Sequence, residues 1–111
     1  MDQTVKLDRR GAAAAWNLLS TAQPKGRAEV RLHARAMKGL QEHCAKYLPD
    51  QTRVEFKDGE WPLNESVAEY VEDLLDKKLE QPIEGSFSQG YAQLCDEFDL
   101  LKAGEPKKEG A

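Results

Sequence analysis

The chain has 111 residues, 16 Lys/Arg against 20 Asp/Glu for a net charge of −4, and 40% hydrophobic residues. This length gives one domain with a real core, and the balance excludes a disordered chain. No apolar run approaches the ~20 residues of a membrane span. Met1-Asp2-Gln3-Thr4 has neither the basic nor the apolar region of a secretory signal, so no membrane partner and a cytoplasmic setting, in a bacterial or an infected host cell, are expected.

Gln3 to Leu7 alternates polar and apolar, with Val5 and Leu7 on one side, and predicts a short strand. Asp8 follows as the N-cap of a helix over Arg9 to about Thr21, whose apolar face is Ala12, Ala15, Trp16 and Leu19. Gln23-Pro24-Lys25-Gly26 breaks the chain. In the second helix Val30, His33, Met37, Leu40, Cys44 and Tyr47 recur at alternating spacings of three and four and predict a five-turn apolar seam. Pro49 is expected to stop that helix at Leu48.

Arg53 to Leu63 reads as a β-hairpin about Asp58-Gly59, with Phe56 facing Trp61 and Val54 facing Leu63. Pro62 cannot donate to a ladder, so its returning strand is expected to be an edge or very short. The N-terminal strand is expected to pair with Thr52–Lys57, completing a three-stranded sheet. Asn64 caps a third helix with Val67, Tyr70, Val71, Leu74, Leu75 and Leu79 inward, ending before Pro82. Ser86-Phe87-Ser88-Gln89 is a capping box for a fourth, with Phe87, Tyr91, Leu94, Phe98 and Leu101 as its apolar stripe. Gly104-Glu105-Pro106 is expected to end it, leaving 104–111 as a mobile tail on a domain of 1–103. The fold class is α+β, mostly helical, with about four helices and a small antiparallel sheet.

Charge is divided along the chain: residues 1–49 carry a net +5, residues 50–99 a net −10, and the last twelve +1. Two helices concentrate it. Arg27, Arg31, Arg35 and Lys38 form a basic stripe on the second helix, and Glu65, Glu69, Glu72, Asp73, Asp76 and Glu80 occupy the outer side of the third. The basic stripe suits nucleic-acid phosphates, but no aromatic residues interleave with it for base stacking. Its alternative is a solvated face whose arginines pair with the acidic helix, within one molecule or between two copies as a homodimer. Like charges four apart cost a few tenths of a kcal/mol each, so the acidic face suggests a cationic protein partner. Its alternative is a solubilising surface.

Other chemistry has little to stand on. Cys44 and Cys95 fall on apolar stripes and are expected as reduced thiols, although their spacing leaves a disulfide open. His33 is expected at the core boundary, its ring nitrogen satisfied by a neighbour, and His43 and Cys44 point apart. There is no metal-ligand spacing, no phosphate-binding glycine loop and no nucleophile elbow, so the expectation is no metal, no cofactor and no catalytic residue.

The order of elements carries a resemblance. A Val5/Leu7 strand leads to a helix with Trp16-Asn17-Leu18-Leu19, then a charged helix, a hairpin and Leu63-Asn64-Glu65-Ser66-Val67 opening the next helix. Gly85-Ser86-Phe87-Ser88 then precedes a Tyr91-x-x-Leu94-x-x-x-Phe98 helix. Over about residues 3–99 this is similar to small uncharacterised proteins encoded in bacteriophage and prophage genomes. The resemblance implies a phage or bacterial setting and no enzymatic activity, and it suits an accessory protein that acts on a host or phage protein. The function expected is a non-enzymatic protein-binding module, with nucleic-acid binding through the basic stripe as the alternative.

Overall fold

The computed structural model describes residues 3–47 and 54–110, with side chains described for 3–46 and 54–101. In chain order these form β1 (Gln3–Leu7), α1 (Arg9–Thr21), α2 (Gly26–Cys44), β2 (Ala45–Tyr47), β3 (Val54–Phe56), β4 (Gly59–Leu63), α3 (Glu65–Lys78), a 3-10 turn (Gly85–Phe87) and α4 (Ser88–Gly110). The class is the expected one, α+β and mostly helical.

In β1 Val5 and Leu7 are buried while Thr4 and Lys6 are exposed. The Asp8 carboxylate accepts from the Gly11 amide at 2.9 Å and starts α1. Gly11, Ala12, Ala14 and Ala15 are buried, and so small a surface lets α4 come very close. A Cβ placed on Gly90 would collide with the Arg10 carbonyl oxygen and the Ala14 methyl. Asn64 caps α3, accepting from the Val67 amide at 2.8 Å. Tyr91, Leu94 and Phe98 are buried along α4, with Phe87 and Leu101 at the margins, as the stripe predicts.

The centre of the molecule is where α2 crosses β4. Trp61 is completely buried, and its indole Nε1–H donates to the Ala36 carbonyl at 2.9 Å. The same core cluster holds Val5, Leu19, Leu40, Cys44, Leu63, Val71 and Leu94, all fully buried.

The hairpin is corrected. β3 and β4 form at the expected places but do not pair with each other. β4 pairs antiparallel with β1, setting Val5 opposite Trp61 and Lys6 opposite Glu60. β3 pairs with β2, setting Ala45 opposite Phe56. There is no three-stranded sheet among the described residues, and Thr52 and Arg53, expected to open the first strand of the hairpin, lie outside them. The cause is the α2 contact. A Cβ on Gly59 would strike the His43 carbonyl and approach the Cys44 sulfur, and the Lys57 amide donates to the Cys44 carbonyl at 3.0 Å. The chain at Lys57–Gly59 is therefore spent against the end of α2 rather than in a tight turn.

The same contact corrects α2. It stops at Cys44, and Ala45 is extended (φ −142°, ψ 154°) because β3 offers it a ladder. The expected stop at Leu48 lies outside the described residues. The buried face is Ala36, Gly39, Leu40 and Cys44, while His33 and Met37 are half-buried and Val30 is 49% exposed. Small residues face β4, since Gly39 leaves room for Trp61 and Pro62. Leu79, expected inward, is 38% exposed at the C-cap of α3. The capping box at Ser86 gives way to the 3-10 turn, in which the Ser88 hydroxyl donates to the Gly85 carbonyl at 2.9 Å. Helix α4 runs on past Pro106 to Gly110. Proline's fixed φ is itself helical, but inside a helix it loses one hydrogen bond and its ring crowds the carbonyl four residues back, so the helix continues there at a cost.

The α1–α4 contact gives a test. Gly90→Ala is expected to destabilise the protein by about 1–3 kcal/mol through overpacking. Gly85→Ala, where an added Cβ meets nothing within 4 Å, stays within about 0.5 kcal/mol of the parent. Urea unfolding of the two variants reads the difference.

Candidate functional site

Both charged rows stand outward. Ala36, Leu40 and Cys44 of α2 and Val67, Val71 and Leu75 of α3 are buried, so helical geometry sends the charged residues away from the core. Arg27, Arg31, Arg35 and Lys38 are all exposed. Among the described residues none of the four has an ion pair or hydrogen bond. The expected pairing of these arginines with the acidic helix inside one molecule is therefore not found there. Of the α2 charges, Glu29 adds to the raising of two α3 groups: Tyr70, where burial leads, and Lys77, where the hydrogen bond and charge of Asp73 lead.

On α3, Glu65, Glu69, Asp73 and Asp76 are exposed and Glu72 is half-buried, while Glu80, expected on the same helix, is exposed in the turn beyond the helix end at Lys78. Asp73 pairs with Lys77 at 3.1 Å, one turn away, and the hydrogen bond and charge of that carboxylate raise the Lys77 pKa. Asp76 lies close enough to Cys95 on α4 to help raise its thiol pKa, behind burial, Asp99 and Asp96.

The row borders a groove of about 210 Å³ lined by Glu65, Glu69, Glu72, Gln3, Ala68, Phe98 and Leu101. The buried Ala68 and Phe98 form its apolar base, and exposed carboxylates form its rim. Gln3, Phe98 and Leu101 were not legible as site residues. Two belong to the apolar stripe of α4, and only the fold sets all three around one groove with Glu65 and Glu69. A larger groove, about 460 Å³, is lined by Arg9, Arg10, Ala13, Glu55, Phe56, Ser86 and Phe87. Its charges are mixed, and the Arg10 guanidinium donates to Gln89.

The remaining reactive groups are structural. His33 Nε2 lies 2.7 Å from the Leu19 carbonyl oxygen, as expected of a boundary histidine, and His43 is exposed while its neighbour Cys44 is buried. Both thiols are free. Burial pushes the Cys44 thiol up to about 11, against a smaller lowering by Lys57, which makes it a poor nucleophile at neutral pH. The Tyr91 hydroxyl bonds Asn17 Oδ1 at 2.6 Å, and burial raises its pKa to about 12. Among the described residues there is no group of three or more potential metal ligands and no helix long and apolar enough to cross a membrane.

These shifts fix a pH dependence. The folded state holds the Cys44 proton up to about pH 11, whereas the unfolded thiol releases it near 9. Stability from this group is therefore full below pH 9 and is lost as pH rises from about 9 to 11. Urea unfolding across that range should show the decline, and Cys44→Ala should remove its part between pH 9 and 10 and lessen it above, where the buried Tyr91 hydroxyl adds its own loss. Compared with family models, with curated proteins and with solved structures, the chain matches none.

Proposed function

We propose that this chain is a non-enzymatic protein-binding module whose outer α3 face receives a cationic segment of a partner. The observation that carries this reading is the groove beside α3, with carboxylates on its rim and Phe98, Ala68 and Leu101 at its base. A lysine or arginine fits such a place: its aliphatic stem lies on apolar surface while its charged head meets carboxylates. Glu65, Glu69 and Asp76 are exposed on that face, and the spacing of like charges works against the helix itself. In this reading the protein acts in the cytoplasm, in keeping with two unpaired thiols. The sequence resemblance supports a phage-encoded accessory protein, and the partner is a host or phage protein.

The second reading, nucleic-acid binding, is favoured by one observation: Arg27, Arg31, Arg35 and Lys38 stand exposed with no partner among the described residues. The overall charge of −4 opposes it.

The two readings separate by titration. A labelled helical peptide with arginines four apart should bind, and Glu65→Gln with Glu69→Gln should weaken it about tenfold, as should salt well above 0.15 M. Equal binding of a glutamate version of the peptide, or no effect of the double variant, contradicts the proposal. Retention of DNA or RNA at low salt, abolished by Arg31→Glu with Arg35→Glu, would move the function to α2.

A further inference from the structure

We propose that the cationic helix received by the outer face of α3 is α2 of a second copy of this chain. The inference rests on the reading of α3 as a surface for a cationic segment, and it names the partner.

The two rows match in length, spacing and sign. Arg27 to Lys38 on α2 and Glu65 to Asp76 on α3 each span eleven residue steps, about 16.5 Å at 1.5 Å per residue. With the helices antiparallel, Arg27 stands opposite Asp76, Arg31 opposite Glu72, Lys38 opposite Glu65, and Arg35 within one residue of Glu69. Glu29 then comes within one turn of Lys77 and Lys78, and the helix dipoles oppose each other favourably. A parallel arrangement sets all four cations directly opposite Glu65, Glu69, Asp73 and Asp76, one more than the antiparallel one. However, Asp73 is already paired with Lys77, and the parallel arrangement aligns the helix dipoles unfavourably and carries Glu29 away from Lys77 and Lys78, so the antiparallel one is preferred.

The surface between the cations suits a close helical neighbour. Ala34 is exposed beside the arginines, and Val30 is 49% exposed on the same side. The small side chain lets another helix approach, and the valine gives it an apolar contact. Opposite, the groove beside Glu65 and Glu69 has room for an arginine stem over Phe98. Neither row is neutralised by the other within one molecule, because no arginine of α2 pairs there among the described residues. Exposed ion pairs are individually weak, so the association expected is in roughly the micromolar-to-millimolar range.

Sedimentation velocity of the full chain from about 10 µM to 1 mM tests this, at low salt and at a salt concentration that screens surface charge. Association is expected at low salt and its loss at high salt. Two variants make the test specific: Arg27→Glu with Arg35→Glu, and Glu69→Arg with Asp76→Arg. All four positions are exposed, and circular dichroism checks that each variant is folded. Each alone should be monomeric, because its altered row repels the unaltered one. An equimolar mixture should associate again, because the unaltered α3 row of the first variant meets the unaltered α2 row of the second and the two reversed rows also match. A parent monomeric at every concentration, association indifferent to salt, or a mixture of folded variants that stays monomeric overturns the inference. Binding of the arginine peptide by a parent that does not self-associate would leave the reading of α3 intact and remove only the second copy. Failure of both removes both.

Discussion

The contact between α2 and β4 organises the molecule. Trp61 is fully buried, and its indole is tied to the Ala36 carbonyl inside α2. To allow this, α2 presents Ala36 and Gly39 to the strand, and the strand opens with Gly59 against the His43 carbonyl. Once β4 is held there, its free edge goes to β1 rather than β3, and β3 takes as partner the three residues that leave α2. The two small sheets, the early end of α2 and the orientation of its charged row all follow from one close approach.

That orientation decides where the charge of the chain stands. Because α2 turns Ala36, Leu40 and Cys44 inward, its arginines stand on the opposite side. Because α3 turns Val67, Val71 and Leu75 inward, its carboxylates do the same. The charge division seen along the chain thus becomes two outward rows of opposite sign on helices that pack against each other through their cores. Packing explains why these residues face water, but it does not explain why like charges are grouped. Mixed signs would cover the same surface with less repulsion.

Much of the architecture was legible locally. The bounds of β1 and α1, both carboxamide or carboxylate caps (Asp8, Asn64) and the α4 stripe depend on residues close in sequence. What was not legible depends on long-range contact. Asp58-Gly59 has hairpin chemistry, but the glycine is needed for the His43 carbonyl, which lies sixteen residues earlier in the chain. Val30 and Leu79 fit their apolar periodicities yet stand exposed, because the seam of α2 is set by where β4 crosses it and α3 ends at Leu79. The charged rows could be read as helix faces, whereas the groove between them and Phe98 required the fold.

The central claim is that α3 keeps its outer carboxylates for a partner at some expense to its own stability. Urea unfolding of Glu69→Gln with Asp76→Asn, alongside titration with the cationic helical peptide, tests it most directly. The account predicts a variant more stable than the parent by a few tenths to about 1 kcal/mol that binds the peptide more weakly. A variant less stable than the parent, or one that binds the peptide equally well, would contradict it.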